Sequence, residues 1–310
     1  MAHARPFRFG VTAHTAATGD EWRALCRKVE DLGYASIALP DHFGEQLAPI
    51  AALATAASVT ATLRVGMLVA ANDFRHPVVH AKELATLDLL SDGRVDWGMG
   101  AGWLAPEYKA AGIAFEPART RVDRLTEAVS AMKALFADGE AVFQGAHYRV
   151  DGLDGQPKPV QRPHPPLLIG GAQRRVLTLA GREADVVGVA PVPPDASAPK
   201  TRADVEAGID QQLGWIRAGA GDRYPDVELN MVPFPVILDD DPVARSERLG
   251  PRLKMTPDAV LAAPHVWLGS VDGICDALEQ RRERWGVSSW TVPVAWVDTA
   301  APIVARLAGS

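Results

Sequence analysis

Four stretches of this sequence bring together residue types that do chemistry. The first is Leu39-Pro40-Asp41-His42-Phe43. A histidine beside an aspartate can accept a proton, donate one or hydrogen-bond a ligand, because imidazole titrates near neutral pH. The same histidine would serve equally well as a plain helix cap. The second is Ala70-Ala71-Asn72-Asp73-Phe74-Arg75-His76-Pro77. Its small residues admit a planar molecule, while Asn72, Asp73, Arg75 and His76 offer donors and charges. The structural alternative is a helix start capped by Asp73, with Arg75 in solvent. The third, Gly98-Met99-Gly100-Ala101-Gly102-Trp103, has three glycines in five residues. Bare backbone amides can face an anion or a ring system, although tight turns use glycine too. Trp103 is a candidate wall for ring stacking. The fourth, Leu168-Ile169-Gly170-Gly171-Ala172, runs into Gln173, Arg174 and Arg175. A glycine pair opening a helix suits a phosphate. Arginines at a helix N-terminus oppose the macrodipole, so they gain little there as purely structural residues.

These stretches need a scaffold that gathers them at one place. Short apolar runs predict strands over 7–12, 35–40, 63–70, 94–98, 166–170, 185–190, 229–238 and 288–294. Between them, apolar residues at spacings of three and four predict helices over 20–32, 48–60, 77–90, 121–137, 172–181, 202–217, 256–263 and 272–285. Residues 140–150 read as a small hairpin, and 191–200, rich in Pro, Ser and Ala, as a loop. Alternating strands and helices call for a parallel sheet covered by helices. Eight such units, with no GxGxxG after the first strand, point to a closed (β/α)8 TIM barrel rather than an open doubly wound sheet. All four stretches then follow the C-terminal ends of strands, which is where barrels of this kind carry function. The expected organisation is a single domain over 1–310, with an insertion at about 139–165 and a mobile loop at about 191–200.

Size and composition agree with this frame. The chain has 310 residues, 47% hydrophobic and 23% charged, with a formal net charge of −6. That balance argues against a general nucleic-acid surface. Its two cysteines, Cys26 and Cys275, form neither a disulfide framework nor a zinc motif. No HxH or HExxH suggests a catalytic metal, and no GxSxG suggests a hydrolase serine. The N-terminus lacks the apolar core of a signal peptide, and no apolar run is long enough for a membrane span. A cytoplasmic location is therefore expected.

Read together, the segments EDLGYASIALPDHF (30–43), FRHPVVHAKELATLDLLSDGRVDWGMGAGW (74–103), KPVQRPHPPLLIGGAQ (158–173) and GREADVVG (181–188) resemble the luciferase-like monooxygenase superfamily. The segment LGSVDGICDALEQRRERWGVSSWTV (268–292) matches its closing helix and strand more loosely. Within that superfamily the sequence is most similar to actinobacterial oxidoreductases that use the deazaflavin coenzyme F420. The resemblance implies a non-proline cis peptide at Leu68-Val69-Ala70, forming a bulge that backs the coenzyme ring. It implies that His42 lies beside the ring as the catalytic group. Asp41, Leu68, Val69, Ala70, Asn72, Gly98, Gly100, Ala101, Gly102, Trp103, Gly170, Gly171, Ala172, Arg174 and Arg175 are then the expected coenzyme contacts. One departure is plain. The glutamate that sugar-phosphate dehydrogenases of the family carry in the strand-four loop is matched here by Ala101, with Glu107 further on, so neither their acid nor their substrate is carried over.

The expected activity is hydride transfer between F420 and a small organic substrate, carried by a homodimer. Two rivals keep the barrel. One is an FMN-dependent monooxygenase served by a separate flavin reductase. The other is a barrel that binds flavin without turnover.

Overall fold

The computed structural model describes residues 5–192 and 198–310. Eight parallel strands close on themselves in chain order: β1 (Arg8–Thr12), β2 (Ser36–Leu39), β3 (Arg64–Met67), β4 (Val95–Gly100), β5 (Leu167–Gly171), β6 (Val186–Val189), β7 (Glu228–Met231) and β8 (Val287–Pro293). The ring shuts where β8 pairs with β1, with Arg8 opposite Ser289 and Gly10 opposite Thr291. The helices around it are α1 (Gly19–Asp31), α2 (Pro49–Val59), α3 (Pro77–Leu90), α4 (Ala105–Ala110), α5 (Ala118–Phe136), α6 (Arg174–Glu183), α7 (Arg202–Ala220), α8 (Pro242–Leu253), α9 (Pro257–Ala262), α10 (Val271–Trp285) and α11 (Val297–Leu307). None of the described helices is long and apolar enough to cross a membrane.

Alternation along the strands sorts the side chains. Phe9, Val11, Ile37, Val65, Trp97, Ile169 and Trp290 are fully buried in the apolar core. The opposite face lines the barrel axis with small or polar groups such as Gly10, Ser36, Gly66, Asn230 and Thr291. At the N-terminal end the axis is closed by charges that satisfy one another. Arg8 donates to Glu228 at 3.0 and 3.1 Å and lies 3.6 Å from Asp96, which Arg64 also holds. Burial works against the Arg8 charge, but Asp96 and Glu228 raise its pKa above the ordinary value.

Several boundaries differ from the sequence reading. The run 63–70 is interrupted: β3 ends at Met67, the Leu68–Val69 peptide is cis, and Ala70–Ala71 resumes pairing with β4. The run 229–238 is two strands, β7 and Val236–Leu238, and the second pairs with Trp267–Gly269 in a separate small sheet. Pro233 and Pro235 lie between them and cannot donate to a ladder. The helices α4, α8 and α11 escaped the apolar-spacing reading. The hairpin is present as Glu140–Gln144 against Arg149–Asp154. The centre of the expected 191–200 loop, residues 193–197, lies outside the described residues.

Candidate functional site

The C-terminal mouth of the barrel is built around Val69. Its side chain is half-buried and lies over the ends of β4 and β5. A Cβ added at Gly100 would meet Val69 Cγ2 at 2.5 Å, and one at Gly170 would meet Cγ1 at 3.2 Å. A Cβ on Gly98 would collide with the Met67 carbonyl oxygen, one on Gly171 with Val176, and one on Gly102, which sits at φ +73°, with the Tyr108 hydroxyl. The two glycine clusters therefore converge at one end of the barrel, on adjacent paired strands. The loop reading of Gly98 and Gly100 needs correcting, however. Both are buried inside β4. They lack side chains because the β3 bulge occupies that space, so Val69 becomes the floor of the mouth.

His42 stands at the end of β2, where Leu39 closes the strand. Its Nδ1 lies 2.8 Å from Glu107 Oε2 on α4, and the other Glu107 oxygen accepts the Phe43 backbone N–H. The Glu107 side chain is only 9% exposed. A carboxylate only accepts, so Nδ1 carries the proton and Nε2 is left as the reactive nitrogen. Among the described residues Nε2 has no protein partner. Trp103 meets the imidazole edge-on at 5.8 Å between centroids, yet is 71% exposed. The sequence reading passed over Glu107 as a partner because it lies 65 positions from His42. Only the fold brings the six-residue helix α4 back over the β2 loop.

Other expected contacts are committed to the protein itself. Asp41 is buried, and its Oδ2 accepts from the Ala71 backbone at 3.1 Å and from Arg75 at 2.6 Å. It ties the end of β2 to the β3 bulge, and Arg75 is not a solvated side chain. Asp73 does not cap α3, whose N-cap is His76. It pairs instead with Arg124 at 2.8 Å and lies 3.4 Å from the Tyr108 hydroxyl. Burial and the Asp73 carboxylate push the Tyr108 phenol up, so it stays protonated. Asn72 is buried and donates to Tyr148 of the hairpin at 3.2 Å. The Ala101 carbonyl accepts from Arg121 at 3.2 Å. Leu68 and Ala70 flank Val69 in the bulge.

On the far side of Val69, α6 starts at Arg174 behind Gln173, whose side chain makes no cap, and its first turn holds no acid. Its first N–H groups are therefore open, in a place that favours an anion. Arg174 is exposed there, whereas Arg175 is drawn back onto Asp123 of α5. Gln212 of α7, 2% exposed, donates to the Ala172 carbonyl at 3.0 Å and to the Ala190 carbonyl at 2.9 Å. It locks the β5 and β6 loops together with their carbonyls turned away from the mouth. No local signal marked Gln212, which looks like any polar helix residue. An apolar floor bare of neighbouring side chains, beside uncapped amides and an arginine, fits a flat ring system with a phosphate tail.

Comparison with known proteins agrees with this geometry. The family described as luciferase-like monooxygenase matches residues 1–303. An uncharacterized protein of Mycobacterium tuberculosis is 30% identical over 268 residues, covering 78% of this chain and 88% of that protein. An FMNH2-dependent dimethylsulfone monooxygenase of Pseudomonas putida is 29% identical, covering 59% of this chain and 47% of its own, so the match spans about half of that enzyme. An F420-dependent glucose-6-phosphate dehydrogenase of Microbacterium testaceum is 31% identical, covering 58% and 55%. Among solved structures, the coenzyme F420-dependent tetrahydromethanopterin reductase of Methanopyrus kandleri superposes with a TM-score of 0.76 at 19% identity, covering 98% of both chains. The three of these relatives whose names state an activity are oxidoreductases dependent on F420 or FMNH2. The chain belongs to the luciferase-like monooxygenase family.

Proposed function

We propose that this protein transfers hydride between coenzyme F420 and a small organic substrate at the mouth above Val69. The observation that carries the reading is the His42–Glu107 pair, held at 2.8 Å beside an exposed Trp103 on the same rim as the Val69 floor. Val69 would support the back of the ring, while the open amides before α6 and Arg174 would hold the phosphate. The coenzyme supplies the hydride chemistry when bound. His42 Nε2 accepts or returns the proton that accompanies the hydride, and Glu107 keeps that nitrogen turned toward the mouth. Relatives named as F420-dependent dehydrogenases support this choice.

A second reading, reduced FMN and oxygen with a partner reductase, is favoured by the similarity to the dimethylsulfone monooxygenase. Titration of the purified protein with F420 and with FMN, followed by visible absorbance and fluorescence, tests the choice. Saturable F420 binding with weak FMN binding is expected. The reverse order would move the protein to the monooxygenase reading, and binding of neither would remove both. Assembly as a homodimer and a cytoplasmic location belong to the same proposal.

A further inference from the structure

The half of the mouth away from α6 is made of the loops after β7, β8 and β1, and their leading residues share one property. They read Val232-Pro233-Phe234-Pro235, Val294-Ala295-Trp296 and Ala13-His14-Thr15-Ala16-Ala17-Thr18. None of these residues is Asp, Glu, Lys or Arg. The next acid after β8, Asp298, is turned outward to Lys28 at 2.7 Å. Among the described residues, Arg174 and Arg175 stand on the β5 side, Lys200 of the neighbouring β6 loop is held on the Val192 carbonyl at 3.2 Å, and Arg75 beneath the bulge is consumed by Asp41.

Aromatic rings stand where charges are missing. Phe234 is 65% exposed and packs edge-on against Trp296 at 4.8 Å between centroids. Trp103, edge-on to His42, and Phe43, packed on Phe74, stand exposed on the loops after β4 and β2. Large apolar side chains held in water at the edge of a cleft lose nothing by being covered and gain when they are. Trp296 is half-buried after β8.

We infer that the substrate is an uncharged, mainly apolar molecule. Its hydrocarbon part lies against Phe234 and Trp296, and its single oxygen function is presented to His42 Nε2. An anionic substrate such as a sugar phosphate would find no lysine or arginine on these three loops, and burying its charge there would carry a large desolvation cost. This inference rests on the proposed function for the role of His42. The apolar wall itself depends only on Phe234, Trp296 and the uncharged loops.

Calorimetric titration of the full chain with straight-chain methyl ketones of increasing length, with and without F420, tests it. Glucose 6-phosphate is the charged comparator. Affinity should rise about 3- to 4-fold for each added methylene over the first several members. Phe234→Ala should weaken the longest ketone about 10-fold and leave F420 affinity within about 2-fold, with Phe234→Leu restoring most of the loss. Phe234 is mostly solvent-exposed, so the fold does not depend on it. Affinity that is flat with chain length, tighter binding of glucose 6-phosphate, or an unchanged ketone affinity in Phe234→Ala would overturn the inference. Ketone binding with the expected length dependence but no spectral binding of F420 would overturn the coenzyme reading alone and leave the apolar wall standing.

Discussion

The two ends of the barrel treat polar groups in opposite ways. At the N-terminal end, Arg8, Arg64, Asp96 and Glu228 are all spent on one another. At the C-terminal end, His42 Nε2 and the first amides of α6 are left without protein partners among the described residues, and Trp103 stands in solvent. Unspent groups cost stability unless a ligand uses them, whereas a closed ion-pair network serves the fold alone. The same eight strands thus end in a plug on one side and a prepared surface on the other, as the division of labour in such barrels requires.

Substitutions at the two ends should separate cleanly. The largest effect is expected at the mouth. His42→Ala should lower turnover of an accepted substrate about 10²- to 10⁴-fold while melting temperature and coenzyme affinity hardly change. A steady-state assay beside a thermal melt reads both, and a stability loss that accounts for the missing activity would erase the contrast.

Asp96→Asn is the counterpart at the plug. It leaves Arg8 and Arg64 with less charge compensation, and a loss of about 2 kcal/mol in unfolding free energy is expected, seen in urea titration. Turnover per folded molecule should stay at the wild-type level. A selective drop in turnover would show that the plug is coupled to the mouth.

A smaller effect sharpens the picture within the mouth. Gln212→Leu removes both bonds that hold the β5 and β6 loops. Coenzyme affinity should fall about 10-fold, the equivalent of two neutral hydrogen bonds at about 0.7 kcal/mol each. Unchanged affinity would mean that the loop amides are set without α7.

The smallest change belongs to Arg175. Because it is drawn onto Asp123, Arg175→Ala should alter coenzyme affinity less than about 3-fold, within the range of an exposed ion pair. Arg174→Ala should cost more. Equal losses for the two would restore Arg175 to the phosphate site.

Much of this was legible in the sequence. Strand–helix alternation gave the barrel, and the strand ends gave the mouth, because both are written in short-range pattern. Long-range pairing was not. Nothing near Gly98 or Gly100 tells that their missing side chains make room for Val69, a residue of another strand. The same holds for Asp41, whose ionic partner Arg75 appeared as a free rim charge, and for Glu107 on a helix too short to show a period. Phe234 was hidden inside a run read as one strand, although the prolines on both sides were the signal that the ladder must break there.

The central claim is that the Val69 floor, with His42 across from it, is the seat of the coenzyme. A crystal structure of the protein soaked with F420 tests it most directly. The ring should lie against Val69 with its phosphate at the amides preceding α6 and His42 Nε2 facing the open side. Density for the coenzyme elsewhere on the molecule, or a mouth that stays solvent-filled at saturating F420, would contradict the account.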